Sequence, residues 1–119
     1  MSKPLGPYTP VVRAGDWVVT SGQIGLAEGM IVGGGVRAEA AQALANLRDL
    51  LESEGAALSD VVKATIFLTD MDDYAAVNEV YVEAFGDHRP ARTCIAVSAL
   101  PAGALVEIEA WARPGAAKG

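Results

Sequence analysis

The spacing of apolar residues along this chain changes several times, and each change marks an element. Residues 11–13 and 16–20 are short runs rich in valine and tryptophan, separated by the turn signal Ala14-Gly15, which predicts a hairpin. Ser21-Gly22-Gln23-Ile24-Gly25 reads as a loop in which glycine lets backbone approach a neighbour closely. Met30-Ile31-Val32 reads as a further short strand before the break at Gly33-Gly34-Gly35. Over residues 36–54, Ala40, Leu44, Leu47 and Leu51 recur at helical spacing, and Gly55 stands where a helix C-terminal glycine belongs. Alternation returns at residues 60–69, where Val62, Ala64, Ile66 and Leu68 interleave with Lys63, Thr65, Phe67 and Thr69, predicting a central strand. Asp70, Asp72 and Asp73 offer capping carboxylates to a second helix, whose stripe of Tyr74, Val77, Tyr81, Ala84 and Phe85 runs to Gly86. The last strands are predicted at 92–100 and 105–113, joined by a turn at Pro101-Ala102-Gly103, with 114–119 as a frayed tail.

This order, β-β-(β)-α-β-α-β-β, predicts one α/β (α+β) domain over residues 1–119, a mixed sheet of five to six strands with two helices packed on one face. Strand parity assigns Thr93, Ile95, Val97 and Ala99 to the helix side and Arg92, Cys94, Ala96 and Ser98 to the other. In the final strand Val106, Ile108, Ala110 and Ala112 point toward the helices, with Glu107, Glu109 and Trp111 opposite. An uncovered face carrying Trp111, Cys94 and Ala96 among charged groups is too apolar for solvent, and burial against another copy resolves this. A closed homo-oligomer is therefore expected, with Arg92 and Glu107 near the subunit boundary.

Composition narrows the function classes. The chain has 119 residues, 51% of them hydrophobic, enough for one core without staples. With one cysteine, Cys94, no internal disulfide can form and no thiol pair is available for zinc or redox chemistry. A reducing, cytoplasmic location is expected. No N-terminal apolar run of signal-peptide length and no stretch of about twenty apolar residues is present, so no membrane role is expected. A formal charge of −6, with nine basic residues scattered singly, argues against nucleic acid as a partner.

Candidate chemistry centres on Arg92. A guanidinium fork at a strand start can hold a carboxylate through two parallel hydrogen bonds. Read alone, Arg92 is more simply a surface or salt-bridge residue, and Glu107 an outward carboxylate meeting water. Placed together on adjacent antiparallel strands, they are either a structural ion pair or the two ends of a small polar pocket. Asn78 interrupts the apolar side of the second helix, where it needs a hydrogen-bond partner and could equally tie down a loop. Tyr8 reads as a packing anchor, and no base is evident to activate Cys94 or to make His88 a catalyst.

The segment Pro90-Ala91-Arg92-Thr93-Cys94-Ile95-Ala96-Val97, followed by Leu100-Pro101 and Val106-Glu107-Ile108-Glu109-Ala110, resembles the signature of the RidA/YjgF family of enamine/imine deaminases, also labelled endoribonuclease L-PSP. Gly6-Pro7-Tyr8, Thr20-Ser21-Gly22-Gln23-Ile24, the strand from Asp60 to Leu68, and Val77-Asn78-Glu79-Val80-Tyr81 match in the same order, so nearly the whole chain is covered. The resemblance implies a chorismate-mutase-like fold, a homotrimer with sites between subunits, and hydrolysis of 2-imino acids to 2-oxo acids and ammonia without metal or cofactor. It implies that Arg92 binds the substrate carboxylate, that Cys94 contributes main-chain contacts, and that Glu107 positions the water. Tyr8, Ser21, Gly22 and Asn78 would line or close the pocket. Two segments depart from the family pattern, the short loop at residues 86–90 and the glycine-rich stretch at residues 25–35. The alternatives are a non-catalytic trimer that binds small carboxylates or acts as a chaperone, and an RNA-directed role.

Overall fold

A computed structural model describes residues 4–115. The chain opens with a hairpin, β1 (Val11–Ala14) and β2 (Trp17–Thr20), turned at Gly15, whose φ of +61° suits glycine. A two-stranded ribbon follows, β3 (Leu26–Ala27) against β4 (Met30–Ile31). Helix α1 (Gly35–Ser53) leads to β5 (Val61–Leu68), helix α2 (Tyr74–Phe85), β6 (Ala91–Ala96) and β7 (Val106–Ala112). The main sheet has five strands in the order β1-β2-β7-β5-β6.

Both helices cover one face of this sheet. Helix α1 buries Ala40, Ala43, Leu44, Leu47, Leu50 and Leu51, and α2 buries Val77, Tyr81 and Phe85. They meet Ala64, Ile66 and Leu68 of β5 and Val106, Ile108, Ala110 and Ala112 of β7 in one core. Each fully buried leucine contributes about 1.5–3 kcal/mol through area removed from water. The buried Glu39 of α1 accepts a hydrogen bond from the Leu105 backbone N–H at 2.8 Å, anchoring the chain just before β7. Gly25 lies against the same turn of α1. A Cβ there would stand 2.8 Å from the Glu39 Cα and carbonyl oxygen, so only glycine fits. No helix of the described residues is long and apolar enough to cross a membrane.

The predicted helices and the parity of β7 agree with the structure, and the remaining strands differ from expectation in particulars. First, Met30–Ile31 does not join the main sheet, because the turn at Glu28 (φ +54°) and Gly29 (φ +79°) folds it back onto Leu26–Ala27. Second, β6 and β7 are not neighbours. The β5-α2-β6 crossover lays β6 parallel to β5, and β7 pairs antiparallel on the other side of β5. Residues 97–105 carry the chain over the end of β5, where the Val97 N–H donates to Leu68 and Thr69 donates to Leu105.

Third, β6 has the opposite parity to that expected. Arg92 is level with Ala64, and Cys94 with Ile66, on the helix side, whereas Thr93 and Ile95 lie level with Thr65 and Phe67 on the open face. At the other end of β5, a register shift between Val61 and Lys63 buries Val61 and exposes Val62. Where the expected frayed tail begins, the Gly115 N–H donates to Asp60 Oδ1 at 3.0 Å. Residues 116–119 lie outside the described part.

Candidate functional site

The predicted site residues fall into two groups on opposite sides of the sheet. The first group stands on β6 and α2. Asp70 caps the turn preceding α2 by accepting the Asp72 N–H at 2.9 Å, and the helix then presents Tyr74, Asn78 and Tyr81 at spacings of four and three, which share one stripe. Arg92 reaches this stripe from β6. Its guanidinium carbon lies 4.9 Å from the Tyr81 ring centre and 5.5 Å from that of Tyr74, and Nη2 donates to the Tyr74 hydroxyl at 3.1 Å. Among the described residues Arg92 forms no ion pair, so its remaining N–H donors have no carboxylate to meet.

Cys94, one pleat further along β6, packs against the core. Burial pushes its thiol up from the ordinary range, outweighing the lowering effect of Arg92. A thiol held protonated is a poor nucleophile. Tyr81 is also raised by burial, against opposing pulls from Arg92 and Arg89, and its buried hydroxyl has no partner among the described residues. His88 donates from Nε2 to the Val61 carbonyl at 2.7 Å, which ties the loop before β6 to β5 and gives this residue a structural task.

The second group surrounds Glu107 on the open face. After β2 the chain passes beside β7, where Gln23 and Ile108 exchange two backbone hydrogen bonds of 2.8 and 2.9 Å. This brings Gly22 under the Glu107 side chain: a Cβ at Gly22 would lie 2.6 Å from the carboxyl carbon. Ser21 pins the N-terminal segment by donating from Oγ to the Thr9 carbonyl at 2.6 Å and from its N–H to Pro10 at 2.8 Å. Tyr8 is carried in by that segment, half exposed. Tyr8, Ser21, Gly22 and Glu107 line one cavity of about 520 Å³, which extends past the end of β2 to Ile24, Leu26 and the α1 residues Asn46 and Leu50. Burial first, and the nearby Glu109 second, hold the Glu107 carboxyl above the ordinary carboxylate range.

The expected pairing of Arg92 with Glu107 on one face of neighbouring strands is therefore corrected. The two stand on opposite faces, with β5 between their strands. Each group gathers the remaining candidates, Cys94 and Asn78 with Arg92, and Tyr8, Ser21 and Gly22 with Glu107. The tyrosines that flank Arg92 are additional to the residues the sequence points to, and their seven-residue spacing around Asn78 on a helix leading into β6 is the signal that bears on them. Among the described residues no group of three or more His, Cys, Asp or Glu side chains is placed to hold a metal.

Comparison with known proteins covers almost the whole chain. The family described as endoribonuclease L-PSP matches residues 1–113. A RutC family protein of Pyrococcus horikoshii is 45% identical over 112 residues, which make up 92% of this chain and 89% of the relative. A mouse protein named 2-iminobutanoate/2-iminopropanoate deaminase is 45% identical over 113 residues, covering 93% of this chain and 84% of the relative. Among solved structures, Escherichia coli TdcF with bound serine has a TM-score of 0.88 at 37% identity, covering 92% and 90% of the two chains.

Proposed function

The chain belongs to the endoribonuclease L-PSP family, which is also the RidA/YjgF family, and from that premise we propose that it hydrolyses 2-imino acids to 2-oxo acids and ammonia at sites shared between two copies. The observation that carries this reading is the pair of incomplete half-sites. An arginine without an acidic partner suits a carboxylate ligand, and a carboxyl held above its ordinary range suits proton transfer, yet β5 separates their strands and they face opposite ways. A second copy set against the open face brings its Arg92 half to this copy's Glu107 half. The apolar groups exposed on that face, Trp111 and Ile95 with Phe67 between their strands, support burial there. Assembly as a homotrimer is the form of this contact proposed for the chain.

In the proposed reaction a protonated imine is already electrophilic, so little needs to be supplied. Arg92 holds the carboxylate and Cys94 lends its main chain. Glu107 removes a proton from a water as its oxygen bonds to the imine carbon and returns that proton to the nitrogen of the resulting carbinolamine. The C–N bond then breaks, ammonia leaves, and the hydroxyl proton passes to Glu107 as the 2-oxo acid carbonyl forms. Tyr8, Ser21, Gly22 and Asn78 enclose the substrate. The decisive experiment is a coupled assay in which an amino-acid dehydratase or oxidase generates the imine and 2-oxo acid release is followed. Release no faster than buffer across a panel of amino acids would sink the reading. A serine bound to TdcF is equally expected of a protein that binds small carboxylates without turnover, and saturable 2-oxobutanoate binding with no rate enhancement would establish that alternative.

Two predictions attach to Glu107. Gly22→Ala places a methyl group 2.6 Å from the carboxyl carbon and forces the side chain aside, so kcat is expected to fall roughly 10- to 100-fold, the scale of a 1 Å misplacement. The folded protein should persist by circular dichroism, and unchanged kcat in that folded variant would show that the carboxylate has no fixed task. The second prediction concerns pH. A general base works ionised, and an acid with a raised pKa stays protonated to higher pH, so kcat should decline on acidification from above the ordinary glutamate range. Glu109→Gln removes a like charge and should move that limb to lower pH, as read from kcat profiles of the two proteins.

A further inference from the structure

Arg92 has long, freely rotating bonds, and on an edge strand such a side chain ordinarily samples several orientations. Here its guanidinium is restrained by α2. The Tyr81 ring lies 4.9 Å and the Tyr74 ring 5.5 Å from the guanidinium carbon, both within cation–π range, and the Tyr74 hydroxyl accepts one N–H at 3.1 Å. Tyr81 is itself immobilised, 3% exposed and stacked on Phe85 with ring centres 4.4 Å apart. Tyr74, at the first turn of α2, is 42% exposed, so its ring and hydroxyl stand at the open side of the guanidinium.

We propose that Tyr74 and Tyr81 form an aromatic clamp that positions Arg92 for the substrate carboxylate, with Tyr81 as the fixed wall and the Tyr74 hydroxyl as the stop that sets the rotation of the fork. The proposal rests on Arg92 being the carboxylate anchor. Occupying one of five N–H donors leaves the others free, and holding the plane in advance lowers the ordering cost at binding. Because a carboxylate keeps its charge from bound substrate to transition state, the clamp should act on binding and KM while kcat stays nearly constant.

The test is calorimetric titration of the oligomeric protein with 2-oxobutanoate, beside imine-hydrolysis kinetics. Tyr74→Phe should weaken binding and raise KM roughly 3- to 10-fold, with kcat within about twofold of wild type. Tyr74→Leu, which also loses the ring, should weaken binding further. Tyr81→Leu removes the fixed wall and should likewise weaken binding in a protein shown to be folded by its melting transition, and wild-type affinity in that folded variant would remove Tyr81 from the clamp. In an Arg92→Lys background, Tyr74→Phe should add little, because a point charge does not use the stop, whereas a general structural role would carry the same loss into both backgrounds. Wild-type affinity in both Tyr74 variants while Arg92→Ala abolishes binding would overturn the clamp alone. Wild-type affinity in Arg92→Ala would instead overturn the carboxylate reading beneath it.

Discussion

Replacing Arg92 with alanine should lower kcat/KM for imine hydrolysis by roughly 100- to 1,000-fold, because truncating a charged partner of a hydrogen-bonded pair costs about 3–4 kcal/mol and each 1.36 kcal/mol is a decade. Little of this should come from misfolding. Arg92 has no acidic partner among the described residues, so its removal strands no buried countercharge, and the lost cation–π contacts are worth about 0.5–1 kcal/mol each. Arg92→Lys should recover only part of the activity, since an ammonium cannot present two parallel donors. Steady-state rates in the coupled assay, with melting temperatures beside them, check both statements. An alanine variant as active as wild type would remove Arg92 from the mechanism.

The second large effect is a rescue. Arg92→Ala and Glu107→Gln should each be nearly inactive alone, yet when the two are unfolded together and refolded as mixed assemblies, activity should return. For random assembly into a closed ring, a site draws an intact Arg92 from one copy and an intact Glu107 from its neighbour, so about one site in four is complete. About a quarter of wild-type activity is thus expected, against none when preassembled variants are mixed without exchange. Failure of exchanged assemblies to regain activity would mean that the two residues do not serve one site.

Much of the architecture was legible in the chain. Leu44, Leu47 and Leu51 have no competing explanation at their spacing, and in β7 the contrast of Val106, Ile108 and Ala110 with Glu107 and Glu109 fixes both period and face. The same logic failed in β6 for a physical reason. Apolar Ile95 suggested an inward face, but the open face is itself apolar around Phe67 and Trp111, so hydrophobicity on this edge strand does not distinguish the two sides. The sequence predicts β6 and β7 as neighbours because residues 97–105 resemble strand and turn, whereas the parallel crossover commits β6 to the other side of β5. The family resemblance nevertheless names residues of both clusters, because it depends on residue identity and not on which face each residue occupies. Tyr74 and Tyr81 escaped notice because an aromatic stripe on an amphipathic helix is explained by burial alone, and only the approach of Arg92 distinguishes the two readings.

The position of β5 between the two half-sites has a consequence for the protein at low abundance. If turnover needs Arg92 from one copy and Glu107 from another, a solitary chain is inert however well folded, and the number of working centres equals the number of junctions between copies. A closed ring loses none of its centres to an unpaired end, while an open string always wastes one half at each terminus. Specific activity would then follow a threshold in concentration, and a lesion at the junction would silence a chain whose own residues are all intact.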